Sequence, residues 1–138
     1  MGLVAPVEGP SAWRGQDIAN SKRWICDLQP RHIGEIEAAL AMVEKRAIDW
    51  REITATDFPL PGLTDLIGQI RNELEHGCGL MKLRGLPVAR YNENQLRTLY
   101  FGIGSNVGTP VYQNRHGELL RCIRDEGADV GHQYGQIE

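Results

Sequence analysis

The run Gly77-Cys-Gly-Leu-Met-Lys-Leu-Arg-Gly-Leu-Pro87 constrains this chain more than any other stretch. Glycines open it, Gly85 and Pro87 close it, and the apolar residues between them are too few for a helix. That pattern predicts a short buried strand over residues 79–84 with turns at both ends. Helical periodicity stands on each side. Leu63, Leu66, Ile67, Ile70 and Leu74 form a stripe before it, and Leu96, Leu99, Tyr100, Ile103 and Val107 form one after it. The lead-in before Leu63 and the stretch after Tyr112, which reads as the beginning of a sheet, are arranged around this unit.

An earlier helix is predicted from Pro30, a residue suited to the first helical position because its missing N–H would be unpaired there. Ile33, Ile36, Leu40 and Val43 give it an apolar stripe, with Glu35, Glu37 and Glu44 outside as a solvated acidic face. Glu35 and Glu37 stand two residues apart, so they point to different sides and do not form a carboxylate pair. Gly77 is read as the left-handed residue that ends the second helix. His76 falls in that helix's last turn, where its charge suits the dipole. Asn92 is the expected N-cap of the third helix, with Gln95 in the capping-box position. The glycines at 102, 104 and 108 resemble a nucleotide-binding loop only superficially, because the third is one residue late and the run closes a helix; they are read as close-packing and terminating residues.

Residues 1–29, with Pro6, Pro10, Trp13 and Trp24, read as an ordered arm whose indoles pack on the domain. Residues 51–62, with Pro59 and Pro61, read as an extended connection. Residues 111–113 and 119–124 read as two strands around a turn at 114–117. Residues 129–138 carry no assignable pattern. The fold class is α+β, with three helices beside a short incomplete sheet, in a single domain over 1–138. At 138 residues such a domain buries roughly two-thirds of the surface of its unfolded chain.

Charge and cysteine content exclude several function classes. With 15 basic against 18 acidic residues, the net charge of -3 lacks the basic excess that neutralises phosphates, so no nucleic-acid partner is expected. The apolar run at 38–43 is too short to cross a bilayer. Met1-Gly-Leu-Val-Ala-Pro6 lacks the features of a secretory signal. Cys26, Cys78 and Cys122 are odd in number and widely spaced, and are read as three reduced thiols of a cytoplasmic protein.

Gly79-Leu-Met-Lys-Leu-Arg-Gly-Leu-Pro87, the helix ending Tyr100-Phe-Gly-Ile-Gly104, then Gly108-Thr-Pro-Val-Tyr-Gln-Asn114, Gly117-Glu-Leu-Leu120 and Ile123-Arg-Asp125 together resemble the N-terminal part of TauD/TfdA-like dioxygenases. The opening Gly9-Pro-Ser-Ala-Trp13 is also similar to the start of members of this clavaminate synthase-like group. The resemblance implies a double-stranded β-helix, or jelly roll, with N-terminal helices packed beside it. It also implies iron(II) held by a His-x-Asp/Glu pair and a distant His, with 2-oxoglutarate as co-substrate and a later Arg for its carboxylate. The reaction so implied is hydroxylation of a small organic substrate, with 2-oxoglutarate decarboxylated to succinate.

In the family the His-x-Asp lies downstream of the segment matched here. His116-Gly117-Glu118 has the His-x-Glu form but falls in the turn before the Leu119 strand, ahead of the family's metal position. His132-Gln-Tyr134 has no carboxylate, and no His follows it. The chain is therefore expected to be an N-terminal portion, with no catalytic or metal residues of its own, no cofactor bound alone, and no activity alone. Thr109 and Tyr112 match positions that can face substrate, where a hydroxyl and a phenol hydrogen-bond a polar group; the alternative is a turn threonine and a packed tyrosine.

The expected partner is a C-terminal catalytic polypeptide, or a second copy. A different reading is a non-catalytic interaction module, or a split-enzyme subunit, that pairs through its open sheet edges. In either case Leu80, Leu83, Leu120 and Ile123 would have apolar faces left uncovered.

Overall fold

The computed structural model describes residues 5–123. Four helices and two strands follow in the order α1 (Gly15–Asn20), β1 (Ile25–Asp27), α2 (Pro30–Lys45), α3 (Thr64–His76), β2 (Lys82–Arg84) and α4 (Glu93–Val107). The class is α+β. The three long helices coincide with the three periodic stripes. α1 lies inside the arm and was not foreseen, because its six residues bury none of their side chains and so carry no apolar stripe.

The core lies where α4 packs on α2, on α3 and on a 3-10 turn at Trp50–Glu52. Ile36, Leu40 and Val43 of α2 and Leu66, Ile67 and Ile70 of α3 face it. Its largest fully buried side chain is Phe58, from the proline-containing connection that showed no periodicity. A Cβ at Gly102 would stand 2.5 Å from the Phe58 ring, so this glycine lets α4 lie directly on the aromatic. Trp50 meets Phe101 edge-on, with ring centroids 5.5 Å apart, a favoured aromatic geometry.

Two members of the predicted stripes are exposed. Leu74 is 41% exposed and Tyr100 74% exposed. On α4 the buried residues are Thr98, Leu99, Phe101 and Gly102, whereas Leu96, Tyr100, Ile103 and Val107 border a groove on another side. The helix has two apolar faces, and a 3.6-residue period does not say which of them meets the core.

Helix ends follow side-chain chemistry. Asn92 accepts from the Gln95 amide at 2.8 Å, and Gln95 Oε1 accepts from the Asn92 amide at 3.0 Å, the capping box expected for α4. His32 Nδ1 accepts the Gln29 amide at 3.0 Å where α2 begins at Pro30. Gly77 ends α3, but with φ of −100° it is not left-handed; the left-handed turn comes at Gly79, φ +83°. The Gly77 and Gly79 amides both donate to the Glu73 carbonyl, so the turn closes two residues later than expected.

The sheet is a parallel pair with Ile25 opposite Lys82, Cys26 opposite Leu83 and Asp27 opposite Arg84. Arg84 grips the Asp27 carboxylate through Nε at 2.7 Å and Nη2 at 2.9 Å, fixing the register. The strand foreseen over 79–84 is confined to its last three residues, and its partner is β1. The two strands expected at 111–113 and 119–124 are absent among the described residues, and Arg124 lies outside them. The turn between them does form: Gly117 has φ +74°, its amide donates to the Asn114 carbonyl, and the Gln113 amide donates to the Glu118 carbonyl at 2.7 Å. One cross-link makes no ladder, and a lone hairpin is marginal without a third strand or a helix beneath it.

The expected acidic face of α2 is instead a row of tertiary ties. Glu35 Oε1 accepts the Gly62 amide at 2.7 Å. Glu37 accepts from Arg90 at 2.8 Å and from the Tyr91 hydroxyl. Glu44 accepts from Gln95 Nε2 at 2.7 Å. Glu35 and Glu37 serve different neighbours, as their spacing requires. In the arm, Trp13 Nε1 donates to the Cys78 carbonyl and so ties the arm to the domain as expected, whereas Trp24 Nε1 donates to the Ile18 carbonyl within the arm itself, each at 2.7 Å. No helix among the described residues is long and apolar enough to cross a membrane.

Candidate functional site

The outer face of α4, the loop after β2 and residues 108–123 enclose an open groove of about 1660 Å³. Much of its lining is apolar, including Leu28, Leu83, Leu99, Phe101, Ile103 and Val107. Leu119 and Leu120 line it from the segment after α4. Leu83 and Leu120 are half-buried there, whereas Ile123 at the rim is 99% exposed.

The last turn of α4 aims the segment that borders this groove. Arg71 of α3 donates from Nε to the Val107 carbonyl at 2.9 Å and from Nη2 to the Asn106 carbonyl. These are carbonyls that a helix leaves unpaired at its end. Asn106 Nδ2 donates to the Phe58 carbonyl at 2.8 Å. Gly108 then takes an extended conformation, φ −168°, and the chain leaves the helix along the groove. Thr109 lines it. Tyr112 is 71% exposed on the same segment and is not among the lining residues.

At the rim, Arg97 donates to Glu93 Oε1 at 2.7 Å and to Cys122 Sγ at 3.6 Å, and the Cys122 thiol donates to Glu93 Oε1 at 3.5 Å. The Cys122 bond, with Glu93 behind it, raises the Arg97 pKa above its ordinary value. This cluster escaped the sequence reading. Glu93 and Arg97 stand at helical i,i+4 spacing, a signal for a surface ion pair, but nothing in the sequence brings Cys122 to them.

His116 lines the groove. Its neighbour in the His-x-Glu form is otherwise engaged: Glu118 Oε2 accepts from Asn114 Nδ2 and lies 3.7 Å from Arg121 Nη1. His32 is taken up in capping α2, and His76 stands at the exposed end of α3, 3.6 Å from Glu75. Among the described residues, no three His, Cys, Asp or Glu side chains converge as a metal would require. These residues do not fit an iron(II) triad; His132 lies outside them. What the groove offers is apolar surface with a threonine hydroxyl, a guanidinium and an imidazole at its margin, a combination able to hold a small molecule of mixed polarity.

No family model matches the chain. It is 30% identical over 125 residues to FR-33289 synthase of Streptomyces rubellomurinus, a match covering 91% of this chain and 37% of that protein. It is 23% identical over 129 residues to the taurine hydroxylase-like protein SAT17 of Stachybotrys chartarum, covering 93% of this chain and 34% of that protein. The chain thus spans little more than a third of the length of these curated relatives. Together, at low identity, they point to the TauD-like oxygenases as the proteins that this chain is similar to.

Proposed function

We propose that residues 1–138 form the N-terminal part of a TauD-like, iron(II)- and 2-oxoglutarate-dependent dioxygenase of the jelly-roll kind, an oxidoreductase that hydroxylates a small organic substrate. The observation that carries this reading is the match to FR-33289 synthase along 91% of the chain. The second relative, whose name describes a taurine hydroxylase-like protein, supports it. In this reading the iron ligands and the 2-oxoglutarate arginine belong to a C-terminal polypeptide, and residues 1–138 do not turn over alone. Bound iron and 2-oxoglutarate would supply the oxidising chemistry; the residues described here supply one wall of the substrate pocket. Thr109, held at the groove by the pinned end of α4, hydrogen-bonds a polar substrate group through its hydroxyl, and Tyr112 adds its phenol when the pocket is completed.

Two measurements test this. Reading the DNA beyond codon 138 in all three frames should reveal a His-x-Asp/Glu pair, a distant His and a following Arg; their absence from every frame would sink the enzyme reading for this product. Purified chain supplied with iron(II) and 2-oxoglutarate should yield no succinate. Stoichiometric binding and turnover by the chain alone would overturn the assignment of the ligands to another segment.

A further inference from the structure

Cys78 is 4% exposed, yet it stands outside the cluster of buried side chains that forms the core. Its thiol donates to the Leu80 carbonyl of the same loop at 3.6 Å. The amino-terminal arm lies against it: Trp13 donates to the Cys78 carbonyl at 2.7 Å, and Ser11 Cβ lies 4.0 Å from where a side chain on Gly79 would begin. The Trp24 indole, bonded to the Ile18 carbonyl, folds α1 back onto the approach to β1.

One carboxylate joins the arm to the loop. Glu73, on α3 and 9% exposed, accepts Arg23 Nε at 2.6 Å and Arg23 Nη2 at 3.4 Å. Its Oε1 also accepts the Cys78 amide at 2.9 Å. The arrangement needs glycine at 77, where an added Cβ would stand 2.3 Å from Glu73 Oε1. Arg23 precedes β1 and Cys78 precedes β2, so Glu73 holds both approaches to the parallel pair from a helix that belongs to the core.

We propose that residues 11–24 form a strap closed over the loop at 77–80, with Glu73 as its latch, and that opening the strap exposes the Cys78 thiol while the helical core stays folded. α1 buries no side chain. Segments with little buried apolar surface open at the low end of a protein's range of local stabilities. α3 contributes Leu66, Ile67 and Ile70 to the core and stays in place.

Thiol labelling tests it on the full chain carrying Cys26→Ser and Cys122→Ser, with 5,5′-dithiobis(2-nitrobenzoate) as the probe, so that Cys78 alone reports. Labelling of this parent should be slow. Glu73→Gln, Arg23→Gln and Trp13→Phe should each accelerate it roughly tenfold, the factor matching loss of one strong hydrogen bond from an opening equilibrium. Adding Arg23→Gln to Glu73→Gln should change the rate little further, because the two residues share one interaction. Urea unfolding of the same proteins reports the core separately. Unchanged labelling in all three variants would overturn the strap, as would acceleration that merely follows global unfolding. Arg23 and Trp13 are half-exposed, at 50% and 39%, so their variants carry the test even where Glu73→Gln fails to fold.

Discussion

Gly102 and Gly104 stand two residues apart on α4 and do opposite things. A Cβ at 102 would overlap the Phe58 ring, whereas a Cβ at 104 meets nothing within 4 Å. Gly102→Ala should therefore destabilise by about 1–3 kcal/mol through overpacking, and Gly104→Ala should stabilise by about 0.5–1 kcal/mol through helix propensity. Urea denaturation of the pair measures both, and a loss at position 104 would contradict the packing described. Glu73 is one of the carboxylates that tie stability to acid. Its bond from Arg23, then that from the Cys78 amide, hold its pKa at about 2, below the ordinary 4.5. The lowered folded value means its contribution is complete above about pH 5 and is lost as pH falls from 4.5 toward 2. The gap in urea midpoint between wild type and Glu73→Gln should accordingly close over that window. Tyr91 has the reverse sign: burial first, then its bond to Glu37, raises its pKa to about 12 from 10.0. Its contribution is complete below pH 10 and lost between 10 and 12, and Tyr91→Phe should flatten that alkaline loss. None of these partnerships was legible from the sequence, since Arg23 and Glu73 lie 50 residues apart and Tyr91 and Glu37 lie 54 apart.

At the scale of elements, what the sequence shows is what forms locally. α2, α3 and α4 each repeat apolar side chains over three or more turns, and Asn92 with Gln95 marks the start of α4 through a bond between neighbours. Asn92→Ala should cost about 1 kcal/mol in urea unfolding. Arg71→Met should leave that cap intact while speeding amide exchange in the last turn of α4, because only the carbonyls of Asn106 and Val107 lose their donor. β1 was not legible for the opposite reason. Its three residues have no alternation to read, and they become a strand only because β2 arrives beside them from 57 residues away, with Asp27 against Arg84. The expected strands after α4 show the same rule in reverse, since suitable residues without a neighbour make a turn and no ladder.

At the scale of the whole molecule, the second apolar face of α4 opens on the groove rather than on the core, and Tyr100, Val111 and Ile123 stand exposed around it. An apolar patch of this kind is where a ligand or another protein surface binds. The chain should take up 8-anilinonaphthalene-1-sulfonate, and the pair Val111→Glu with Ile123→Glu should weaken that uptake without moving the urea midpoint, since neither side chain is buried. Dye binding unaffected by this pair would place the apolar surface elsewhere. Thr109 was visible in the sequence only through a resemblance, and the structure sets it on the groove; Tyr112 came from the same resemblance and lies on the same segment, turned largely to solvent. Short-range sequence was enough for the three long helices, Pro30 at the start of α2, the Asn92–Gln95 cap of α4 and the turns at Gly85 and Asn114, because periodicity, capping and turn chemistry act between residues a few positions apart. Which face of α4 meets Phe58, the pairing of β1 with β2 and the link that Glu73 makes between arm and loop all arise on folding, because each depends on surfaces brought together from distant parts of the chain.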